Sequence, residues 1–208
     1  MHAYELKNVE KLNSEPKNRL HYNSTKQTTP IAMTEFNILD SIPDLTKVKT
    51  FTERYFTKRY ILDFGGIKNN DIMLMYHSNR ITLLYLAPSH SFFKKEGEYK
   101  LNFSIGNINR LNNAVKGKSK KGGQHLTPNS IICKIEYDDG TSFEVPCGIK
   151  GTLIEINEQL VDHPDVLKKE PDDGFIAVIL SSIANSEATK NELLSHEKYV
   201  KLIKDVSK

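Results

Sequence analysis

The 208-residue chain has only two cysteines, Cys133 and Cys147. Two thiols cannot build a disulfide framework and fall short of a four-ligand structural metal site. Both lie in segments that read as strands, where cysteine serves as a small buried apolar residue. Long apolar runs are missing too. Stretches such as Ile81–Ala87 and Phe175–Leu180 stop far short of the roughly 20 residues that cross a bilayer. The opening MHAYELKNVEKLN has no apolar h-region, so no secretory signal is expected. These absences set the expectation of a soluble intracellular protein without membrane insertion.

Catalytic signatures are equally scarce. The chain has no Gly-x-Ser-x-Gly elbow, no His-Glu-x-x-His helix and no complete phosphate-cradling glycine motif,. His77 and His90 fall in loops with no second ligand at metal spacing, and they read as turn residues. Asp138-Asp139 and Asp172-Asp173 each precede a glycine. Aspartate is favoured there because its side chain bonds the local backbone, so the pairs read as turns and not as catalytic carboxylates. A non-enzymatic protein with no cofactor is expected.

Apolar content is 38%, low for a wholly folded chain. The deficit concentrates at the start. Residues 1–34 are rich in Asn, Thr, Ser and Lys with Pro16 and Pro30, and they lack periodicity. Asn37–Val48 offers at most a short docking segment. Residues 1–50 are therefore expected to be a disordered leader, residues 51–185 the folded domain, and residues 186–208 a closing helix packed on it.

The folded part reads as mainly β. FTERYFTKRY sets Phe51, Tyr55 and Arg59 on a helical stripe beside Arg54 and Lys58, one or two turns, although its aromatics also suit a strand. Ile72–Tyr76 and Ile81–Leu86 are apolar runs joined by His77-Ser78-Asn79-Arg80, a plausible hairpin. Tyr99–Ile105 alternates. So does the stretch from Ile131, which breaks at Asp138-Asp139-Gly140 and resumes at Phe143 and Val145, a strong hairpin signal. Gly151–Asn157 follows, with Thr152, Ile154 and Ile156 on one face, and then Phe175–Leu180. Ser181–Glu187 reads as polar linker. Leu193, Leu194, Tyr199, Val200, Leu202 and Ile203 supply a final helical stripe. Ser195 is its N-cap, and Lys201, Lys204 and Lys208 lie toward the negative end of its dipole.

Charge is unevenly spread. Residues 51–130 carry 13 Lys+Arg against 5 Asp+Glu, and residues 131–208 carry 9 against 15. Between Arg110 and Gln124 there is no acid at all. Arg110, Lys116, Lys118, Lys120 and Lys121 share this stretch with Gly117, Gly122 and Gly123. It reads as a flexible basic finger for an acidic protein surface or a phosphate backbone. The same composition also serves a solvated hairpin tip. These five cations are the candidate partner-binding residues.

Two resemblances extend the reading. CGIKGTLIEINEQLVDHPDVLKKEPDDGFIAVIL resembles the C-terminal half of the glycine-cleavage H protein, a lipoyl carrier, with Gly151, Glu155, Asn157, Pro164, Gly174 and Phe175 at the family's positions. LLSHEKYVKLI is similar to that family's closing helix. The resemblance implies a barrel-sandwich hybrid, the flattened β-barrel with a single hybrid motif found in lipoyl and biotinyl carriers. RYFTKRY, HSNRI, the Ser89-His90 loop, residues 111–127, CKIEYDDG and the H-like half together resemble the Abitram (Simiate) family, over roughly residues 51–185 and in the same order. That resemblance implies binding to actin monomer and filament, control of polymerisation and filopodia, and a transcription-associated role in nuclear speckles beside the cytoplasm and cell projections. Two alternatives stand beside it. One is a nucleic-acid or chromatin module that uses the basic loop, with nucleic acid or nuclear proteins as partners. The other is a scaffold derived from a lipoyl carrier. Lipoyl carriers present the modified lysine at the hairpin tip before the Gly–Glu–Asn strand. Here the tip is Asp138-Asp139-Gly140 and Lys134 lies back in the strand, so no lipoyl group is expected.

Overall fold

The computed structural model describes residues 49–117, 121–168 and 173–206. Residues 1–48 of the expected leader, 37–48 included, lie outside them; its last two residues, Lys49 and Thr50, are described, and Thr50 belongs to the folded part because it caps the first helix.

A five-residue helix α1 (Phe51–Tyr55) opens the described chain. It is closed by a capping box: Thr50 Oγ1 accepts from Glu53 N, and the Glu53 carboxylate accepts from Thr50 N,. The expected helical stripe ends there. Arg59 lies instead in strand β1 (Phe56–Ile61), paired with Leu74 on one side and Ser195 on the other. The β-branched and aromatic residues of FTKRYI override the helical spacing because both neighbours offer a ladder.

β2 (Ile72–His77) and β3 (Ile81–Leu86) form the expected hairpin. β4 (Tyr99–Asn102) and β5 (Ser104–Ile105) split the expected strand at Phe103. There Asn102 Oδ1 takes Ser104 N, and Arg110 N donates to Phe103 O. β6 (Ile108–Asn109) folds back on β5. After β7 (His125–Leu126) come the long β8 (Ile131–Tyr137) and β9 (Ser142–Pro146), then β10 (Gly151–Ile156). A short helix α2 (Gln159–Asp162) leads to β11 (Ala177–Leu180), α3 (Ile183–Glu192), β12 (Leu194–Ser195) and α4 (His196–Val206).

The described strands make a seven-stranded sheet in the order β12-β1-β2-β3-β11-β10-β7 and a three-stranded sheet β4-β8-β9, with neighbouring strands antiparallel throughout. The apolar run of β2 has a simple cause: both its faces are covered. Ile72, Leu74 and Tyr76 join the main core with Cys133, Ile135 and Val145 of the small sheet. Met73 and Met75 point the other way, into a second cluster with Tyr60, Tyr85 and Tyr199 of α4. A strand buried on both sides loses the polar–apolar alternation of a half-exposed one. Both cysteines are free and buried, as their strand positions implied. Burial pushes both thiols up, Cys147 to about 12, so they remain protonated and inert.

Two sequence expectations are corrected. In β10 the inward residues are Leu153 and Ile156, while Thr152 and Ile154 are only half-buried. A register shift between Leu153 and Glu155 is the reason, since a bulge resets the side-chain phase,. Residues 183–187, read as linker, belong to α3. Its sequence IANSEATKNE holds good helix formers without an apolar stripe,, and its Lys190 carbonyl receives Arg59 Nε at 2.6 Å.

The closing helix is shorter than expected: residues 186–192 belong to α3, Leu193 and Leu194 precede α4, and Leu202 is 44% exposed, so Tyr199, Val200 and Ile203 are the part of the stripe with which α4 packs on the sheet. Lys198 N donates to Ser195 Oγ, the expected N-cap. Tyr199 stacks on Tyr60 at 3.8 Å between ring centroids, 3° from parallel.

Candidate partner-binding hairpin

The basic segment leaves β6 at Asn109 and returns at β7, and its base is wired by three polar side chains. Asn113 Nδ2 donates to Leu153 O at 2.9 Å and Ile154 O at 3.1 Å, while its Oδ1 accepts Gln124 N at 2.9 Å. Gln124 Nε2 donates to Asn109 O at 2.9 Å, and Gln124 Oε1 accepts Arg110 Nη1 at 2.7 Å. Arg110 Nε reaches Ile131 O at 3.1 Å. The neck also needs its glycines. A Cβ at Gly122, whose φ is +85°, would lie 2.3 Å from Ala114 O, and one at Gly123 would lie 2.6 Å from Thr152 Cγ2,.

Above the base, Lys116 and Lys121 exchange both backbone hydrogen bonds, at 2.9 and 3.0 Å. Residues opposed in this way project their side chains from the same face. Both lysines are exposed, and neither joins an ion pair among the described residues. Like charges held opposite one another repel, so the pair favours an anionic partner. Among the described residues the segment is thus a hairpin neck held by these bonds, with Lys116 and Lys121 on it.

The five candidates do not share one environment. Arg110 is 6% exposed, and its guanidinium is committed to Ile131 and Gln124. Burial lowers its pKa from the usual arginine value. It holds the loop's base and is not at its tip. Lys116 and Lys121 stand on the exposed hairpin, while Lys118 and Lys120 lie outside the described residues.

The other hairpin, where a carrier would present its lysine, is the expected Asp-Gly turn. Tyr137 N donates to Thr141 O, Gly140 N to Tyr137 O, and Gly140 takes a φ of +83°,. Asp139 accepts Thr141 N and Lys95 Nζ, the latter at 2.6 Å, and these bonds hold its pKa down to about 2. Lys134, back in β8, is bound to Glu144 at 2.7 Å. A lipoyl group is carried as an amide on a lysine amine. A tip of two carboxylates and a glycine does not fit it.

The sequence missed a buried polar relay. Tyr199 OH donates to Ser89 Oγ, which donates to the Asp71 carboxylate; Ser89 N donates to Tyr199 OH and Asp63 N to Asp71 Oδ1. His90, read as a turn residue, is fully buried. Its Nδ1 caps the short 3-10 turn Ser91–Lys94 by accepting Phe92 N, so Nε2 carries the proton and donates to Asn70 Oδ1. Phe92-Phe93 just after His90 was the available signal, since paired aromatics anchor a loop in the core. Among the described residues, no group of His, Cys, Asp and Glu could hold a metal ion.

Comparison with known proteins adds the family context. The glycine cleavage H-protein family model matches residues 84–206. The chain is 38% identical over 160 residues to Protein Abitram of Danio rerio, covering 76% of this chain and 90% of that protein. It is 36% identical over 155 residues to Protein Abitram of Homo sapiens, covering 73% and 86%. Among solved structures, a glycine cleavage system H protein from Mycobacterium marinum is 12% identical, with a TM-score of 0.43, over 69% of this chain and 94% of that one.

Proposed function

We propose, because this chain belongs to the Abitram family and carries the glycine cleavage H-protein domain with its barrel-sandwich hybrid fold, that it is a non-enzymatic actin-binding protein that regulates polymerisation. Filopodia and other cell projections, the cytoplasm and nuclear speckles are its proposed places of action, with a transcription-associated role in the last. The carrier domain is no catalyst, and the tip that would bear its prosthetic group has no amine.

The observation that carries the surface is the Lys116–Lys121 pair, held opposite one another on a clamped, glycine-necked hairpin. An actin surface rich in carboxylates relieves that repulsion and gains fast, salt-sensitive encounter. Lys118 and Lys120 extend the same charge in sequence. Arg110 acts from below by fixing the base, not by contact. A competing surface on the apolar-acidic half around Leu160, Val161 and Val166 loses support, because Leu160 and Val166 are buried and only Val161 is exposed.

Filament co-sedimentation tests the reading. One exposed lysine contact contributes on the order of 1 kcal/mol or less, so Lys116, Lys118, Lys120 and Lys121 are replaced together by Ala. Affinity should fall roughly tenfold or more, the salt dependence should flatten, and the melting temperature should hold. A folded quadruple variant that sediments with filaments at unchanged affinity and salt slope removes the hairpin as the actin surface.

A further inference from the structure

We propose a second binding surface, for single-stranded nucleic acid, on an exposed aromatic platform where α1 meets β1. Phe51 and Tyr55 are 64% and 54% exposed, whereas the other described aromatics are buried or half-buried. They do not stand alone. The Phe51 and Tyr55 rings lie 4.9 Å apart, Phe51 lies 6.2 Å from Phe56, and Phe56 meets the His77 ring edge-on at 5.0 Å. The result is a contiguous surface of planar rings. It is rigid, because the Thr50–Glu53 capping box fixes α1 and β1 is paired to β2 along its whole length.

Beside the rings runs an open cleft of about 590 Å³, with Phe56 in its wall and Lys49 and Lys58 along it. Glu53 of α1 lines the cleft as well, with its carboxylate turned to Thr50 N in the capping box. Glu197 also lines it, next to His196, whose Nδ1 is bonded to Tyr60 OH. Exposed rings on α1, joined through Phe56 to a cleft that Lys49, Lys58 and Arg59 also line, match a chain that alternates planar bases with phosphates,. A duplex keeps its bases stacked inside and cannot reach the rings. An acidic peptide would meet the lysines but leave most of the platform uncovered.

This surface is separate from the basic hairpin. β1 sits next to β12 at one edge of the seven-stranded sheet, whereas the hairpin leads into β7 at the other. The two readings are therefore distinguishable.

Fluorescence anisotropy with the full chain tests the proposal, using a labelled oligouridine of about 12 nucleotides, long enough for one single-strand groove. Phe51→Ala with Tyr55→Ala should weaken binding by about tenfold or more, on the scale of lost base stacking. Because both rings are exposed, the melting temperature should stay within a degree or two. Tyr55→Phe keeps the ring and should bind as the parent does. A duplex of equal length should bind more weakly and be indifferent to the double variant. Three results would overturn the proposal. One is no measurable single-strand binding by the parent. Another is loss of binding in the quadruple hairpin-lysine variant with none in the ring variant, which assigns the nucleic acid to the hairpin. The third is a polyglutamate peptide whose binding depends on the rings while oligouridine's does not, which assigns the platform to a protein partner. Actin co-sedimentation by the ring variant should be unchanged, so failure of either reading leaves the other standing.

Discussion

His90 shows how one buried side chain sets a pH dependence. Burial holds its pKa down to about 4, with Asp71 pulling the opposite way. In the unfolded chain an imidazole titrates near its ordinary value of about 6.5. As pH falls, the unfolded state takes up this proton first, so stability is full above about 6.5 and declines until about 4. The loss attributable to His90 is on the order of 3 kcal/mol at most. Urea unfolding at pH 7 and 4.5 measures it. His90→Gln should be less stable at pH 7, because the cap of Phe92 and the bond to Asn70 are disturbed, yet show a shallower drop between the two pH values. An unchanged drop would assign the slope to another group. Asp139 acts in a different window. Its pKa of about 2 reflects the bonds from Lys95 and Thr141, so its contribution persists above about 4 and fades as pH falls through 2. The side chain is exposed, and the effect is small.

At the scale of elements, α4 docks on the sheet through His196, which stacks on Tyr60 and bonds its hydroxyl, through the apolar contacts of Val200 and Ile203, and through Tyr199. Tyr199 lies flat on Tyr60, and its hydroxyl both accepts Ser89 N and donates to Ser89 Oγ. Tyr199→Phe keeps the stack but leaves the buried Ser89 N–H without that acceptor, at a cost of about 1–3 kcal/mol. Tyr199→Ala loses the stack as well and should cost about 3–5 kcal/mol. Denaturant midpoints of the two variants separate the contributions, and a Phe variant as stable as the parent would remove the relay from the account. The stripe behind this docking was legible in the sequence because α4 is amphipathic, with Tyr199, Val200 and Ile203 on one side and Ser195 as its cap. The hairpins were legible for a similar reason: Asp-Gly and polar four-residue breaks interrupt clear apolar runs. α3 was hidden because IANSEATKNE has helix propensity without periodicity. The β10 face was misread because a bulge leaves no mark in the alternation. The hairpin candidates were found from charge alone, but their environments were not. Whether Arg110 points to solvent depends on Gln124 and the Ile131 carbonyl, a tertiary contact that local composition does not encode.

On the scale of the whole molecule, the chain carries the glycine cleavage H-protein domain, and the tip of its Asp-Gly hairpin offers no amine. Asp138 and Asp139 form the hairpin tip, and Asp139 is tied to Lys95, which also lies 4.9 Å over the Tyr137 ring. Lys95 itself is spent on that bridge. Lys134 is on the strand with its ammonium bound to Glu144, and that hydrogen bond raises its pKa. Acylation needs a neutral amine that projects into a ligase, and a lysine held protonated within a sheet meets neither condition. The protein should therefore emerge unmodified from cells with active lipoate ligase. Intact mass should show no lipoyl adduct. An adduct mapped by peptide sequencing to Lys134 or Lys95 would show that the strand opens or the bridge breaks often enough for a ligase to act, and the chain would have to be counted as a carrier after all.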